Sequence, residues 1–219
     1  MKKFTFLFFI TIFTFIINSE AQIKKGSVFL GGDIGGSTQT TKRNGTKINS
    51  QDGLVVSPVF GKAIRENLIV GGDAGISFYT NDNNPNSGAF TGQKNNSYGA
   101  GIFIRKYKPI GKSNFSMFLQ GRLGVNYNSN KYSGLSPNFD KTKRYTIVVF
   151  AYPGISYTIS KRLQLETGFN NLIGLSYFTE KREVSGISSY TEKTNGINVS
   201  SSLNNISSLY LGFRILIGS

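Results

Sequence analysis

Apolar and polar residues alternate with a period of two along much of this sequence, most clearly between residues 114 and 127. One set of alternate positions holds Phe115, Met117, Leu119, Gly121, Leu123, Val125 and Tyr127. The other set holds Ser116, Phe118, Gln120, Arg122, Gly124 and Asn126. Successive side chains of a β-strand point to opposite faces, so this pattern predicts a strand with one apolar and one largely polar face.

The same alternation predicts eight strands in all. They cover residues 26–40, 53–62, 68–79, 97–107, 114–127, 144–158, 163–178 and 206–217. The pattern is weaker in two of them: the second contains Pro58, and the seventh places Asn171 among apolar positions. A β-bulge near Asn171 would explain the weaker pattern of the seventh strand.

The predicted connectors alternate between short and long. Short ones cover 62–67, 108–113 and 159–162, and long polar ones cover 41–52, 80–96, 128–143 and 179–205. Short turns at one rim and long loops at the other are typical of outer-membrane barrels. The sequence therefore predicts an all-β fold, an eight-stranded antiparallel up-and-down transmembrane β-barrel.

The composition of the two faces predicts which one lies outside. A soluble exterior is rich in charged residues, whereas the polar face here is mostly Gly, Ser, Asn and Thr. The apolar face carries aromatic residues toward both ends: Phe78, Tyr98, Tyr127, Tyr145 and Tyr177 near the long connectors, and Phe60, Phe115 and Tyr157 near the short ones. Aromatic residues gather at membrane interfaces, so we expect the apolar face to contact lipid. A soluble, lipocalin-like barrel that carries an apolar ligand is the alternative.

The first 21 residues have the anatomy of a secretory signal peptide. Lys2 and Lys3 precede an apolar and threonine stretch over 4–17, and small residues stand before the Ala21-Gln22 junction. The stretch is shorter than the ~20 residues of a membrane-spanning helix. We expect residues 1–21 to be cleaved and residues 22–219 to form the outer-membrane β-barrel domain.

Several segments together resemble the small outer-membrane β-barrel proteins of the Bacteroidota type, whose architecture is that of the OmpA and OmpX membrane domains. They are Ala21-Gln22, Ser57-Pro58-Val59-Phe60-Gly61, Tyr152-Pro153-Gly154-Ile155-Ser156-Tyr157 with the turn Ser160-Lys161-Arg162, and Leu209-Tyr210-Leu211-Gly212-Phe213-Arg214. The resemblance implies a monomeric, porin-like barrel of the Gram-negative cell envelope, assembled by the barrel-assembly machinery. Barrels of this kind commonly end on an aromatic residue, whereas this sequence ends Ile217-Gly218-Ser219. We expect no peptidoglycan-binding domain after the barrel, so the resemblance implies no cell-wall anchoring.

Charge and composition narrow the possible functions. The formal net charge is +14, with basic residues scattered along the chain. Export makes nucleic acid a poor partner, and outer-membrane lipid and lipopolysaccharide fit better. The chain has no histidine and no cysteine, which excludes histidine-based nucleophilic triads and Cys/His metal sites. No cofactor, metal or catalytic residue is expected, and the protein is not expected to be an enzyme. An enzyme that uses the carboxylates Asp33, Asp73 and Glu166 is the remaining alternative.

Two groups of candidate site residues follow from this topology. In the lumen, we expect Glu166 to pair with Arg214 and Asp73 with Arg105, while Asp33 could reach Arg214 if the first and last strands close the barrel. Arg122 also belongs to the lumen set. Side chains can fill an eight-stranded interior, so we expect a plugged barrel. Six loop residues are candidates for binding anionic groups: Lys42, Arg43, Lys47, Lys141, Lys143 and Arg144.

Overall fold

The computed structural model describes residues 23–83, 92–133, 139–169, 172–186, 189–201 and 209–218. The predicted signal peptide, residues 1–21, lies outside them. The strands are β1 (Val28–Arg43), β2 (Thr46–Arg65), β3 (Leu68–Asn83), β4 (Gly92–Pro109), β5 (Phe115–Ser133), β6 (Phe139–Thr158), β7 (Leu163–Phe169), β8 (Ile173–Ser185), β9 (Tyr190–Ser201) and β10 (Leu209–Ile217). The described residues contain no helix that is long and apolar enough to cross a membrane.

The strands form one closed antiparallel barrel with eight strand positions, which confirms the predicted fold class. β1 to β6 pair in sequence order, and β1 also pairs with β10 through four residue pairs, from Val28–Ile217 to Gly31–Arg214. Ten segments occupy eight positions. β7 and β8 both pair with β6 and share the seventh position. β10 pairs with β7, β9 pairs with β8, and these two share the eighth position. The seventh and eighth positions are thus each divided in two.

The division of the seventh strand falls where the sequence pattern slips. Between the pairs Gly154–Gly168 and Ala151–Ile173, the register of β6 against its neighbour shifts by two residues. The predicted bulge residue, Asn171, lies outside the described residues. Because the shift is of two residues, it keeps the alternation in phase, and Leu165 of β7 and Leu175 of β8 lie on the same outer face.

The long connectors were predicted wrongly, because most of their residues belong to strands. In place of a loop over 41–52, β1 and β2 meet at a two-residue turn, Asn44-Gly45, with φ angles of 50° and 79°. Asn-Gly favours this type of tight hairpin turn because both residues tolerate positive φ. β5 likewise runs to residue 133 and β6 begins at residue 139, so that the sheet extends well beyond the apolar wall.

The interior of the barrel is filled at its short-turn end by an apolar cluster. Its members are Ile23, Phe29, Ala63, Ile69, Phe103, Tyr107, Phe118 and Leu216. The chain before β1 closes this end: the Ile23 amide donates to Asn67 Oδ1 at 2.9 Å, and the Asn67 amide donates to the Ile23 carbonyl at 2.9 Å. The lower lumen is therefore packed with side chains, as the narrow bore of eight strands allows.

Glycines at the wall make room for the rings of this cluster, and Gly71 tests that packing. A Cβ at Gly71 would clash with the Phe60 carbonyl oxygen and the Gly61 Cα, both backbone atoms, and with the Phe103 ring. We expect Gly71→Ala to lower the free energy of unfolding by about 2 kcal/mol, as overpacked cores do. Urea titration of the folded protein in detergent micelles measures the change. Gly121→Ala is the control, because its Cβ would meet only Ile104 at 3.8 Å; equal losses from both substitutions would contradict the packing explanation.

Candidate functional site

Next to the apolar cluster, on its side away from the short turns, one buried carboxylate binds two arginines from different strands. We call this direction, away from the short turns, upward. Glu166 of β7 accepts hydrogen bonds from Arg105 of β4 at 2.6 Å and from Arg214 of β10 at 2.7 Å, one on each carboxylate oxygen. Arg105 reaches Glu166 across the lumen, whereas Arg214 comes from the adjacent strand. All three side chains are almost fully buried, so the three groups form a charged layer across the bore.

The surroundings of this layer shield both guanidinium groups and give Arg105 two further hydrogen-bond acceptors. Arg105 donates to Gln120 Oε1 at 2.5 Å and to the Tyr107 hydroxyl at 3.0 Å. Its guanidinium carbon lies 4.4 Å from the centre of the Phe118 ring, within the range of a cation–π contact. Arg214 lies against Gly31, where a Cβ would stand 2.5 Å from the arginine Cδ. The absence of a side chain at Gly31 is what allows Arg214 to lie along the wall.

A second ion pair, between Arg122 of β5 and Asp73 of β3, lies among residues that line the cavity above this layer. The contact is bidentate: Arg122 Nε donates to Asp73 Oδ2 at 2.7 Å, and Nη2 donates to Oδ1. The guanidinium crosses two wall glycines on the way. A Cβ at Gly101 would lie 2.6 Å from the Arg122 guanidinium carbon, and Gly124 is similarly close. Arg122 therefore depends on both of these glycines to reach Asp73.

Two of the pairings expected from the sequence are not those of the structure. Asp73 lies opposite Gly101, whereas Arg105 is four residues nearer the short-turn rim, so Asp73 binds Arg122 and Arg105 binds Glu166. Asp33 does not reach Arg214, which lies opposite Gly31 and extends toward Glu166. Asp33 is exposed and forms no ion pair with any described residue. In so narrow a bore, side chains meet across the lumen as well as between neighbouring strands.

Above the ion pairs the lumen opens into a cavity of about 690 Å³. Its wall combines the charged groups with small polar side chains, including Asp33, Ser57, Ser77, Ser97, Asn126 and Asn128. No group of three or more acidic side chains that could hold a metal ion occurs in the described ranges. Of the three lumen carboxylates, Asp73 and Glu166 are engaged by arginines, which leaves Asp33 alone with a free carboxylate.

The outer wall of the barrel is apolar over a wide band. Along β5 the outward side chains Phe115, Met117, Leu119, Leu123 and Val125 are between 45% and 59% exposed. Their counterparts on other strands include Ile102, Ile104, Ile147, Val149, Ile173, Leu175, Leu211, Phe213 and Ile215. Aromatic contacts border the band: Phe115 and Tyr157 at one end, with ring centres 4.7 Å apart, and Tyr127 and Tyr145 at the other, 4.8 Å apart.

The six basic residues expected in loops lie on strands. Lys42 and Lys47 are opposite one another beside the Asn44-Gly45 turn, and Arg43 is opposite Thr46. Lys141 and Lys143 are on the outward face of β6, which they share with Tyr145. Arg144 is on the inward face, 3.7 Å from the centre of the Phe178 ring and 3.9 Å from Glu180. The six residues therefore form no common site.

An ion pair that sequence reasoning missed stands on the inward face of the extended sheet. Arg182 of β8 donates to Asp140 of β6 at 2.5 and 2.8 Å, and this carboxylate raises the pKa of Arg182. Both residues fall in segments that were expected to be loops. Polar residues on both faces of these segments hid the strands, because period-two alternation needs one apolar face to be visible.

The solved structures that are similar to this chain include two proteins of the outer surface of bacteria. The Neisserial surface protein A has 14% sequence identity and a TM-score of 0.35, covering 87% of this chain and 99% of that chain. A major outer membrane protein from Thermus thermophilus has 11% identity and a TM-score of 0.45, covering 88% and 99%. No protein-family model matches the chain, and neither does any curated protein. Function therefore has to be inferred from the surfaces of this chain itself.

Replacing Glu166 tests the charged layer. Glu166→Gln leaves two buried guanidinium groups uncompensated, so we expect the free energy of unfolding to fall by about 3–5 kcal/mol. Urea titration in detergent micelles measures it. Adding Arg214→Met to Glu166→Met removes one of the two uncompensated charges and should cost less than Glu166→Met alone.

The matched control is Glu180→Gln, which removes a carboxylate from a half-exposed pair with Arg144. Exposed pairs contribute about 0–1 kcal/mol, so this variant should be nearly as stable as the parent protein. A loss from Glu166→Gln no larger than that from Glu180→Gln would contradict a stabilising role for the layer.

Proposed function

We propose that this protein is an outer-membrane β-barrel with a structural or surface-interaction role. The observation that carries the proposal is the continuous apolar outer wall. Soluble monomers rarely expose contiguous apolar patches of more than a few hundred Å². Here outward apolar side chains surround the barrel on β1 to β6, β8 and β10. In lipid such a wall is compatible with a barrel whose strands pair with one another, and each described strand pairs with at least one neighbour.

The height of the wall also suits a membrane. From Phe115 to Tyr127 the outward face of β5 is apolar or glycine. These 13 residues span about 41 Å along the strand at ~3.4 Å per residue. A strand tilt of ~40–45° reduces this to about 30 Å along the barrel axis, which is the thickness of the hydrocarbon core. The aromatic pairs Phe115–Tyr157 and Tyr127–Tyr145 then lie at its two boundaries.

A soluble carrier of an apolar ligand is less well supported. Such a barrel has an apolar cavity inside and a charged surface outside, and the distribution found here is the reverse. The lower lumen is filled by the cluster around Phe29 and Phe103, and the open upper cavity is lined by the two groups of ion-paired residues together with polar and some apolar side chains. An apolar ligand would have to displace packed rings or bury itself against ion pairs, and both are costly.

An enzyme that uses the lumen carboxylates is also disfavoured. A glycosidase needs two carboxyl groups that are free to exchange protons or attack the substrate. Glu166 is held by Arg105 and Arg214 and Asp73 is held by Arg122, which leaves each of them committed to a structural contact. Asp33 has no second free carboxylate with it among the residues that line the cavity.

The filled interior favours roles at the surface over transport. The apolar cluster and the charged layer occupy the bore, so the protein presents its wall to lipid and its extended strands to the exterior. We propose outer-membrane lipid, including lipopolysaccharide, as its partner. In this proposal the signal peptide directs export, and the barrel-assembly machinery inserts the protein as a monomer.

Fractionation and gel mobility test the proposal. Expressed with its first 21 residues in a Gram-negative host, the protein should be recovered with the outer membrane. It should also migrate faster on a detergent gel before boiling than after, because a closed barrel has no free edge at which detergent could begin to unfold it. Recovery in the soluble periplasmic fraction, with one mobility regardless of heating, would contradict a membrane barrel.

A further inference from the structure

Lysine and tyrosine recur at a fixed spacing on four neighbouring strands of the outer wall. On each strand, a lysine lies four residues from an outward tyrosine, in the direction away from the short turns. The pairs are Lys94 and Tyr98 on β4, Tyr127 and Lys131 on β5, Lys141 and Tyr145 on β6, and Tyr177 and Lys181 on β8. Residues four apart lie on the same face of a strand, so all four lysines point outward above the apolar wall.

The strand register places these lysines next to one another. Lys131 lies directly opposite both Lys94 and Lys141. Lys181 lies directly opposite both Lys143, two residues above Tyr145, and Lys193 of β9. We call these six residues, Lys94, Lys131, Lys141, Lys143, Lys181 and Lys193, the outer lysine cluster. Like charges directly opposite in a sheet destabilise it, so the cluster is unfavourable unless anions neutralise it.

The protein supplies few anions of its own at this place. Glu183 binds Lys181 at 2.7 Å, and Lys181, Lys143 and Lys141 all lower the pKa of Glu183. No described carboxylate forms an ion pair with the other five lysines of the cluster. Asp82, on the outward face of β3, lies diagonally from Lys94 and is the nearest acid on that side. Six lysines face two carboxylates, and the cluster keeps a net positive charge.

The cluster is confined to one side of the barrel. At the corresponding height on β1 and β2, the outward side chains include Thr38 and Asp52, which are hydrogen-bonded to each other at 2.6 Å. The arginines at this height, Arg144 and Arg182, are on the inward face and bind the inward acids Glu180 and Asp140. Because these arginines point inward, the outward surface of β4, β5, β6, β8 and β9 at this height carries lysines. Among the described residues, Glu183 is the one acid that is paired with them.

The height of the cluster determines which anion it meets. Four residues correspond to about 14 Å along a strand and, at the tilt of such barrels, about 10 Å above the tyrosines. Tyrosines of a barrel girdle stand at the boundary between hydrocarbon and headgroups. Flexible lysine side chains above them reach back to the plane of the phosphates. Lysine ammonium groups bind phosphate as point charges, which suits a fluid lipid surface.

We propose that the outer lysine cluster binds the phosphate groups of outer-leaflet lipid headgroups and so surrounds one side of the barrel with anionic lipid. This inference rests on the proposed membrane location. It places the anion-binding surface at the outer lysine cluster and not at the Asn44-Gly45 turn, beside which Lys42, Arg43 and Lys47 lie. Anionic lipid would relieve the repulsion between opposed lysines, so binding stabilises the folded barrel.

Two variants that each remove three positive charges distinguish lipid binding at the outer lysine cluster from lipid binding beside the Asn44-Gly45 turn. The wall variant is Lys94→Gln with Lys131→Gln and Lys141→Gln, and the tip variant is Lys42→Gln with Arg43→Gln and Lys47→Gln. Each is refolded in a non-ionic detergent, checked for the heat-dependent gel shift, and titrated with bisphosphorylated lipid A and with the same lipid after removal of both phosphates. We expect the wall variant to lose at least about tenfold in affinity for the bisphosphorylated lipid, since each lysine near a charged surface contributes about fivefold.

The tip variant should bind the bisphosphorylated lipid like the parent protein, and high salt should reduce the difference between the two variants. The dephosphorylated lipid should bind weakly and equally to all three proteins. Equal losses in both variants, no loss in the wall variant, or tight binding of the dephosphorylated lipid would each overturn the proposal. Lys131→Gln alone, expected to lose about fivefold, replaces the wall variant if that fails to fold. A parent protein without a gel shift would count against the membrane barrel instead.

Discussion

The pairing of Glu166 with Arg105 and Arg214 is the interaction on which the interior of this barrel depends. Two guanidinium groups and one carboxylate are buried together in a bore that has no room to leave them hydrated. Burying a charge is costly unless it is paired and hydrogen-bonded, and here Gln120 and Tyr107 supply further acceptors. The layer joins β4, β7 and β10, so it connects the wall across the lumen as well as around it. Gly31 lies at the point where this layer needs space.

The two faces of the sheet use different cations. Arginine serves inside, where its planar group binds carboxylates at defined positions and stacks on rings, as Arg105 does on Phe118. Lysine serves outside, where its flexible stem can follow a mobile surface. The same alternation that separates apolar from polar residues along the apolar band thus separates the ion-paired arginines from the outer lysine cluster above it. A single structural rule, the period of two, produces the lumen and the lysine-rich outer surface.

The sequence was sufficient for the fold class and for the pair of Glu166 with Arg214, and it was insufficient for the apolar cluster of the lower lumen and for the strands above the apolar wall. In residues 114–127 the outward face is apolar, so the period of two is visible and predicts the strand correctly. In residues 128–143 both faces are polar, the contrast disappears, and strands were taken for a loop. The Asn44-Gly45 turn was a usable signal, since that dipeptide favours a hairpin. The partners of Arg105 and Asp73 could not be predicted from neighbouring strands, because they depend on the bore and on the glycines that Arg122 crosses.

Depth measurements on labelled side chains test the central claim, that the outer wall of β5 faces hydrocarbon. The chain has no cysteine, so single cysteines introduced one at a time can carry a spin label without further changes. Labels at Leu123 and at Lys131 are compared in lipid vesicles, with oxygen as the lipid-soluble relaxant and a nickel chelate as the water-soluble one. We expect the Leu123→Cys label to respond to oxygen and to be shielded from the chelate, while the Lys131→Cys label responds to the chelate. A Leu123→Cys label that is freely accessible to the chelate in vesicles would contradict a membrane-spanning barrel.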